Sequence, residues 1–217
     1  IRTNGQGIER GRGSLRGPLD TVAKALAFER CGVWQIASLA SLSYTHVIDL
    51  SGLSACRKLH TLLLTHCKHL TQLEGLADCP ELRSLYVVNC RLLRNTHGLR
   101  GSRTLRTLEL NGCDALRSIE PLASCVNLEV LSLNGCTAIE DIRWLTRCSS
   151  LQTLDLLGCK GIADVTPLAA CPCLWKLDLR GTAYTWEHKA APRLPSVTEL
   201  RGPGWQELNP LSVGRVV

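Results

Sequence analysis

The sequence predicts an α/β-type repeat solenoid, a right-handed superhelix with a parallel β-sheet on its concave face and turns or 3-10 segments on its convex face. Three observations lead there. Leu59, Leu82, Leu105, Leu128, Leu151 and Leu174 follow one another at intervals of 23 residues. Each interval opens with the alternation of a short strand, as in Leu128, Val130, Leu131 and Leu133. Its second half then carries apolar residues at every third place, as in Ile139, Ile142, Leu145 and Cys148. Period three suits a tight 3-10 turn better than an α-helix, and Pro121 and Pro167 inside that turn argue the same way. One such unit cannot bury its own apolar face, so successive units must stack.

Taken in order, the chain divides into four parts. Residues 1–17 contain GQGIERGRG with Arg10, Arg12 and Arg16. No strand precedes these glycines, so they fit neither a dinucleotide nor a phosphate loop. They read as a flexible basic arm that orders on a partner, with a plain linker as the alternative. Residues 18–35 begin PLDTVAKALAFER and place Leu19, Val22, Ala23 and Leu26 on one face with Gly32 behind, as a helix capping the first repeat would. Residues 36–200 are the repeat domain. One period before Leu59 falls on Ile36, with Val47, Leu50, Leu53 and Cys56 in the later half of that unit; one period after Leu174 falls on Val197, where VTEL supplies a last strand. Residues 201–217 form a C-terminal cap or tail, with Trp186, Trp205, Leu208 and Leu211 available to close that end. In the unit starting at Leu82, Thr96 replaces an apolar turn residue and Ser102 replaces the closing Cys, so looser packing is expected there.

The five consecutive units from Leu59 to Cys173 share the pattern L-x-x-L-x-L-x-x-C, with Val87 at the third Leu of the second unit. In this they resemble the leucine-rich repeat family, and the resemblance spans roughly residues 36–200. It implies the solenoid just described, with the inward strand positions buried and the others free to meet a partner. It also implies an interaction scaffold rather than an enzyme.

Ten of the twelve cysteines fall in two columns. Counting each starting Leu as position 1, Cys67, Cys90, Cys113, Cys136 and Cys159 occupy position 9. There the family usually has Asn, turned inward on backbone groups. Cys56, Cys79, Cys125, Cys148 and Cys171 occupy position 21, just before the next strand. Both columns need a small apolar residue with weak hydrogen-bonding ability, which describes a free thiol. Stacked strands about 4.8 Å apart are within disulfide reach. However, parallel side chains strain that bond, and five sulfurs per column cannot pair completely. Reduced structural thiols are therefore preferred to disulfides, metal or catalysis, which points to an intracellular, reducing compartment such as the cytoplasm.

Other chemistry finds little support. The 217 residues are 45% hydrophobic and 20% charged, a folded composition. No run approaches the roughly 18 to 20 apolar residues that span a bilayer, so no membrane partner is expected. The chain opens on Ile1 and lacks Met, which suggests a fragment or processed form. In THCKH, His66 and His69 flank Cys67, but no second ligand pair follows, so no metal is expected. Cys171 and Cys173 are not spaced as a redox pair. No catalytic residues, cofactor or small-molecule substrate are expected.

Two surfaces are candidates for recognition. Positions 3, 5 and 7 of each strand face away from the core. They are apolar near the N-terminus at Leu63, Tyr86 and Val88, and they carry Glu109, Asp155, Asp178 and Arg180 further on. Stacked acids repel, so Asp155 and Asp178 are expected to serve a partner rather than the fold, with Lys176 and Arg180 offsetting them. The expected partner is a protein segment within a multisubunit assembly. The alternative is RNA, held by Arg91, Arg94, Arg100, Arg103, Arg106 and Arg117 against a net charge of +6. A third reading is an adaptor that brings substrates to an enzyme.

Overall fold

The computed structural model describes residues 38–42, 47–51, 53, 56–185 and 194–202. The arm at 1–17, the capping helix at 18–35 and the tail with Trp186, Trp205, Leu208 and Leu211 lie outside the described residues.

Every strand of the sheet comes from the first third of a repeat. The strands are β1 (Ser38–Leu42), β2 (Thr61–Thr65), β3 (Ser84–Val88), β4 (Thr107–Glu109), β5 (Val130–Ser132), β6 (Thr153–Asp155), β7 (Lys176–Asp178) and β8 (Glu199–Arg201). They lie side by side in sequence order, and every neighbouring pair is parallel. From β2 onward each residue faces the one 23 places later, so Leu62 meets Leu85 and Leu154 meets Leu177. Between β1 and β2 the register slips, with Leu39 on Leu62 but Leu42 on Leu64. At the far end β8 continues the array, and Leu194 is buried at the position 21 that cysteine holds elsewhere.

The return half of each unit forms 3-10 segments at His97–Leu99, Glu120–Ser124, Arg143–Arg147 and Thr166–Ala170. Each is opened by the side chain two places before its first residue. Asn95, Ser118, Asp141 and Asp164 accept the backbone N–H two residues on, at 2.9–3.2 Å. Such short polar side chains organise a turn that the backbone alone leaves unsatisfied.

Between sheet and turns runs a continuous core of Leu, Ile, Val and Cys, almost all fully buried. The unit from Leu105 alone hides Leu105, Leu108, Leu110, Leu116, Ile119 and Leu122 beside its two cysteines. Burying one such aliphatic side chain stabilises by roughly 1.5–3 kcal/mol. The unit from Leu82 differs at the two positions its sequence marks. Thr96 sits fully buried at an apolar position with no partner for its hydroxyl, and Ser102 is half-buried where cysteine is buried elsewhere.

The repeated cysteines now have a physical reason. All ten are buried free thiols, while Cys173 is exposed. In the position-21 column, Cys79, Cys125, Cys148 and Cys171 each donate S–H to the carbonyl 26 residues earlier, at 3.3–3.5 Å. In the position-9 column Cys136 reaches the Leu110 carbonyl at 2.8 Å and Cys159 that of Leu133 at 3.0 Å. Each of these thiols therefore ties its unit to a backbone carbonyl of the unit before. Burial pushes the Cys136, Cys148 and Cys159 thiols up to about 12, so they stay protonated donors.

Candidate functional site

Because positions 4 and 6 of each strand point into the core, positions 3, 5 and 7 line the free face. The intermediate-buried-intermediate alternation in β2 and β3 shows this directly. Position 5 runs across the sheet as Leu63, Tyr86, Glu109, Ser132, Asp155, Asp178 and Arg201, each paired with the next. The face thus passes from apolar to charged along a single ladder. Leu63, Tyr86 and Val88 are half-buried together at one end, with Val88 opposite Thr65.

A groove of about 350 Å³ lies over the other end, lined from Glu109 and Asn111 through Asp155 to Arg180 and Arg201. Its polar side chains bond to one another. Ser132 Oγ donates to Asn111 Oδ1 at 2.6 Å, and Asn111 Nδ2 donates to Glu109 Oε2 at 3.3 Å. Asp178 is nearly buried and grips Arg180, whose Nε donates at 3.0 Å and Nη2 at 2.6 Å. This hydrogen-bonded pairing raises the Arg180 pKa still further, so it is always a cation. Glu199 is shared between Lys176 Nζ and Arg201 Nη2, each 3.0 Å away. Lys176, then Arg201, holds the Glu199 carboxyl below its usual range.

Two expectations from the sequence need correction here. Asp155 and Asp178 do serve the fold: Asp155 Oδ1 accepts the Leu157 N–H at 2.9 Å and Asp178 Oδ1 that of Arg180 at 3.0 Å. Each carboxylate fixes the strand exit, which no count of stacked charges reveals. Nor does Lys176 offset Asp155; its ion pair is with Glu199 on β8. The consequence is a sorting of the acids. Asp178 and Glu199 are ion-paired, whereas among the described residues Glu109 and Asp155 have no ion pair.

Glu199 and Arg201 are site residues that the sequence reading did not single out. Adding one period to Lys176 and Asp178 would have found them.

The six arginines do not form one surface. Arg91, Arg94 and Arg117 follow the strands, whereas Arg103 and Arg106 precede them, at the opposite strand ends. Three of the six meet carboxylates of the next unit, Arg91 with Asp114 at 3.6 Å, Arg100 with Glu120 at 2.9 Å, and Arg106 with Glu129. His66 hydrogen-bonds Asn89 at 3.3 Å while Cys67 is buried beneath it. Among the described residues no group of His, Cys, Asp and Glu could hold a metal ion, and no helix is long and apolar enough to cross a membrane.

A family model described as leucine-rich repeats, in two copies, matches residues 103–147 and 127–170. No curated protein sequence matches the chain. Among solved structures, an internalin from Listeria monocytogenes is 17% identical with a TM-score of 0.45, over 83% of this chain and 73% of its own. Internalin C2 from the same organism is 20% identical with a TM-score of 0.33, over 74% of this chain and 87% of its own.

Proposed function

This chain is a leucine-rich repeat protein, and from that premise we propose that it is a protein-interaction scaffold whose sheet face docks a segment of another protein inside a larger intracellular assembly. The observation that carries the reading is the sheet face itself: an apolar end at Leu63, Tyr86 and Val88 continuous with a groove whose Glu109 and Asp155 lack ion pairs among the described residues. An apolar anchor beside charged positions is how a protein surface combines affinity with selectivity. The residues assigned to docking are Leu63, Tyr86, Val88, Glu109, Asp155, Asp178 and Arg180, with Arg180 holding Asp178 in place.

The thiols support the compartment. Two columns of S–H donors hold successive units together, and a chain folding with ten reduced cysteines is best suited to a reducing environment. RNA has weaker support, since half of its candidate arginines already meet carboxylates.

Photo-crosslinking tests the reading. A crosslinking side chain at Leu63 or Tyr86 should capture a protein partner in cells, whereas one at the exposed turn residues Glu140 or Ala169 should not. Capture from the turn side alone would overturn it. RNA recovered from either side, with binding that falls steeply as salt rises, would transfer the function to the arginines.

A further inference from the structure

Resting on that reading, we infer that the docked partner is an extended segment in which an apolar residue, a basic residue and an acidic residue follow one another at spacings set by the strands. The sheet face carries charge in bands. β2 and β3 present Leu63, Tyr86 and Val88, without charge. β4 and β6 present Glu109 and Asp155, neither ion-paired among the described residues, so this band is negative by two. β7 and β8 present Lys176, Asp178, Arg180, Glu199 and Arg201, three cations against two anions, so this band is positive by one. A chain crossing the strands in that order meets apolar, anionic and then cationic surface.

The spacing follows from two lengths. Neighbouring strands lie about 4.8 Å apart, and an extended chain of the polyproline II kind advances about 3.1 Å per residue with every third side chain on the same side. From β3 to the middle of the anionic band is two strand spacings, or about three residues of the partner. From there to β7, whose row carries the cations Lys176 and Arg180 against Asp178, is again two spacings, or about three residues. The partner segment is therefore apolar, two residues, Lys or Arg, two residues, Asp or Glu. A chain of this kind spans the three bands in about seven residues, where a helix advancing about 1.5 Å per residue needs about thirteen.

The test is a displayed library of twelve-residue peptides selected on the whole chain, with binders mapped by crosslinking from Tyr86. A second selection uses the chain carrying Glu109→Gln and Asp155→Asn together. Asparagine keeps the oxygen that accepts the Leu157 N–H, so this variant folds while losing both charges; unchanged thermal unfolding verifies it. The expected result is enrichment of the stated order on the unaltered chain, with about tenfold or more weaker binding of those peptides to the variant. Peptides that crosslink from Tyr86 but show no basic residue at that spacing, or that bind the variant equally well, overturn this inference and leave the docking face standing. A library that yields no peptide crosslinking from Tyr86 overturns both.

Discussion

The units spanning residues 59–104 and those spanning 105–173 keep one period and one register, yet they meet two backbone demands differently. At position 8 the chain turns out of the strand with positive φ. The later units use Gly112, Gly135 and Gly158 there, at φ 67–74°, whereas the earlier ones force His66 and Asn89 to φ 56° and 57°. At position 17, on the return turn, the assignment reverses. The earlier units have Gly75 and Gly98, where a Cβ would collide with the carbonyls of Leu50 and Leu73. The later units carry Pro121, Trp144 and Pro167 and form 3-10 segments of five residues, against three at His97–Leu99. Early turns close backbone on backbone, whereas two of the three later turns are preset by Pro121 and Pro167. Equal repeat length does not require equal local structure. It requires only that the buried columns stay aligned.

Alkaline pH should have the largest effect and should fall hardest on the later units. A thiol held protonated by burial stabilises the folded chain below its ordinary pKa of 9.0 and loses that contribution as pH climbs through the folded value. Cys136, Cys148 and Cys159 sit at about 12, and Cys125 at about 11. In the earlier units Cys79 is also raised, but a hydrogen bond with Cys67 pulls Cys90 down. Urea midpoints measured under reducing conditions should therefore decline steadily from about pH 9 to 12, and hydrogen exchange should show protection lost first within 105–173. A flat profile over that range would contradict the role given to the thiols.

Next in size is Gly98→Ala, which should destabilise by about 3 kcal/mol or more because the obstacle is backbone. Pro121→Ala, at the equivalent position, meets no obstacle and should cost less, about 1–2 kcal/mol, from the preset φ and part of a buried ring. Similar losses in thermal unfolding for both would erase the contrast between the two turns.

The thiol bonds differ as well. Cys136→Ala removes a donor 2.8 Å from the Leu110 carbonyl and should cost about 2 kcal/mol. Cys90, 3.9 Å from the Leu64 carbonyl, should cost less when made Ala. The smallest effect is a gain. Thr96→Val keeps the shape of a fully buried side chain while removing a hydroxyl with no partner, and should stabilise by about 1 kcal/mol. A loss on calorimetry would mean that the hydroxyl is satisfied.

How much of this was legible beforehand follows from the range of each interaction. The period, the buried columns and the faces of β2 to β8 could be read from spacing, because stacking places every residue against the one 23 places away. Even the irregular layer at Thr96 and Ser102 could be read, since any departure from a column is visible in the letters. The glycine exchange between positions 8 and 17 was visible too, but its meaning was not, because the approach of Gly98 to the Leu73 carbonyl is a distance between turns. The acceptors of the cysteine columns, 26 residues back rather than 23, depend on the same geometry.

The sequence alone determined that identical coils stack and which side chains they hide, because a periodic chain can bury its apolar stripe only against its own neighbours. Only the tertiary structure decided which charges remain for a partner. Asp155 and Asp178 occupy equivalent places, yet Arg180 reaches back to Asp178 while Lys176 turns to Glu199. Several opposite charges stand within reach of one another on the sheet face, and the choice among them rests on side-chain direction, which spacing does not encode.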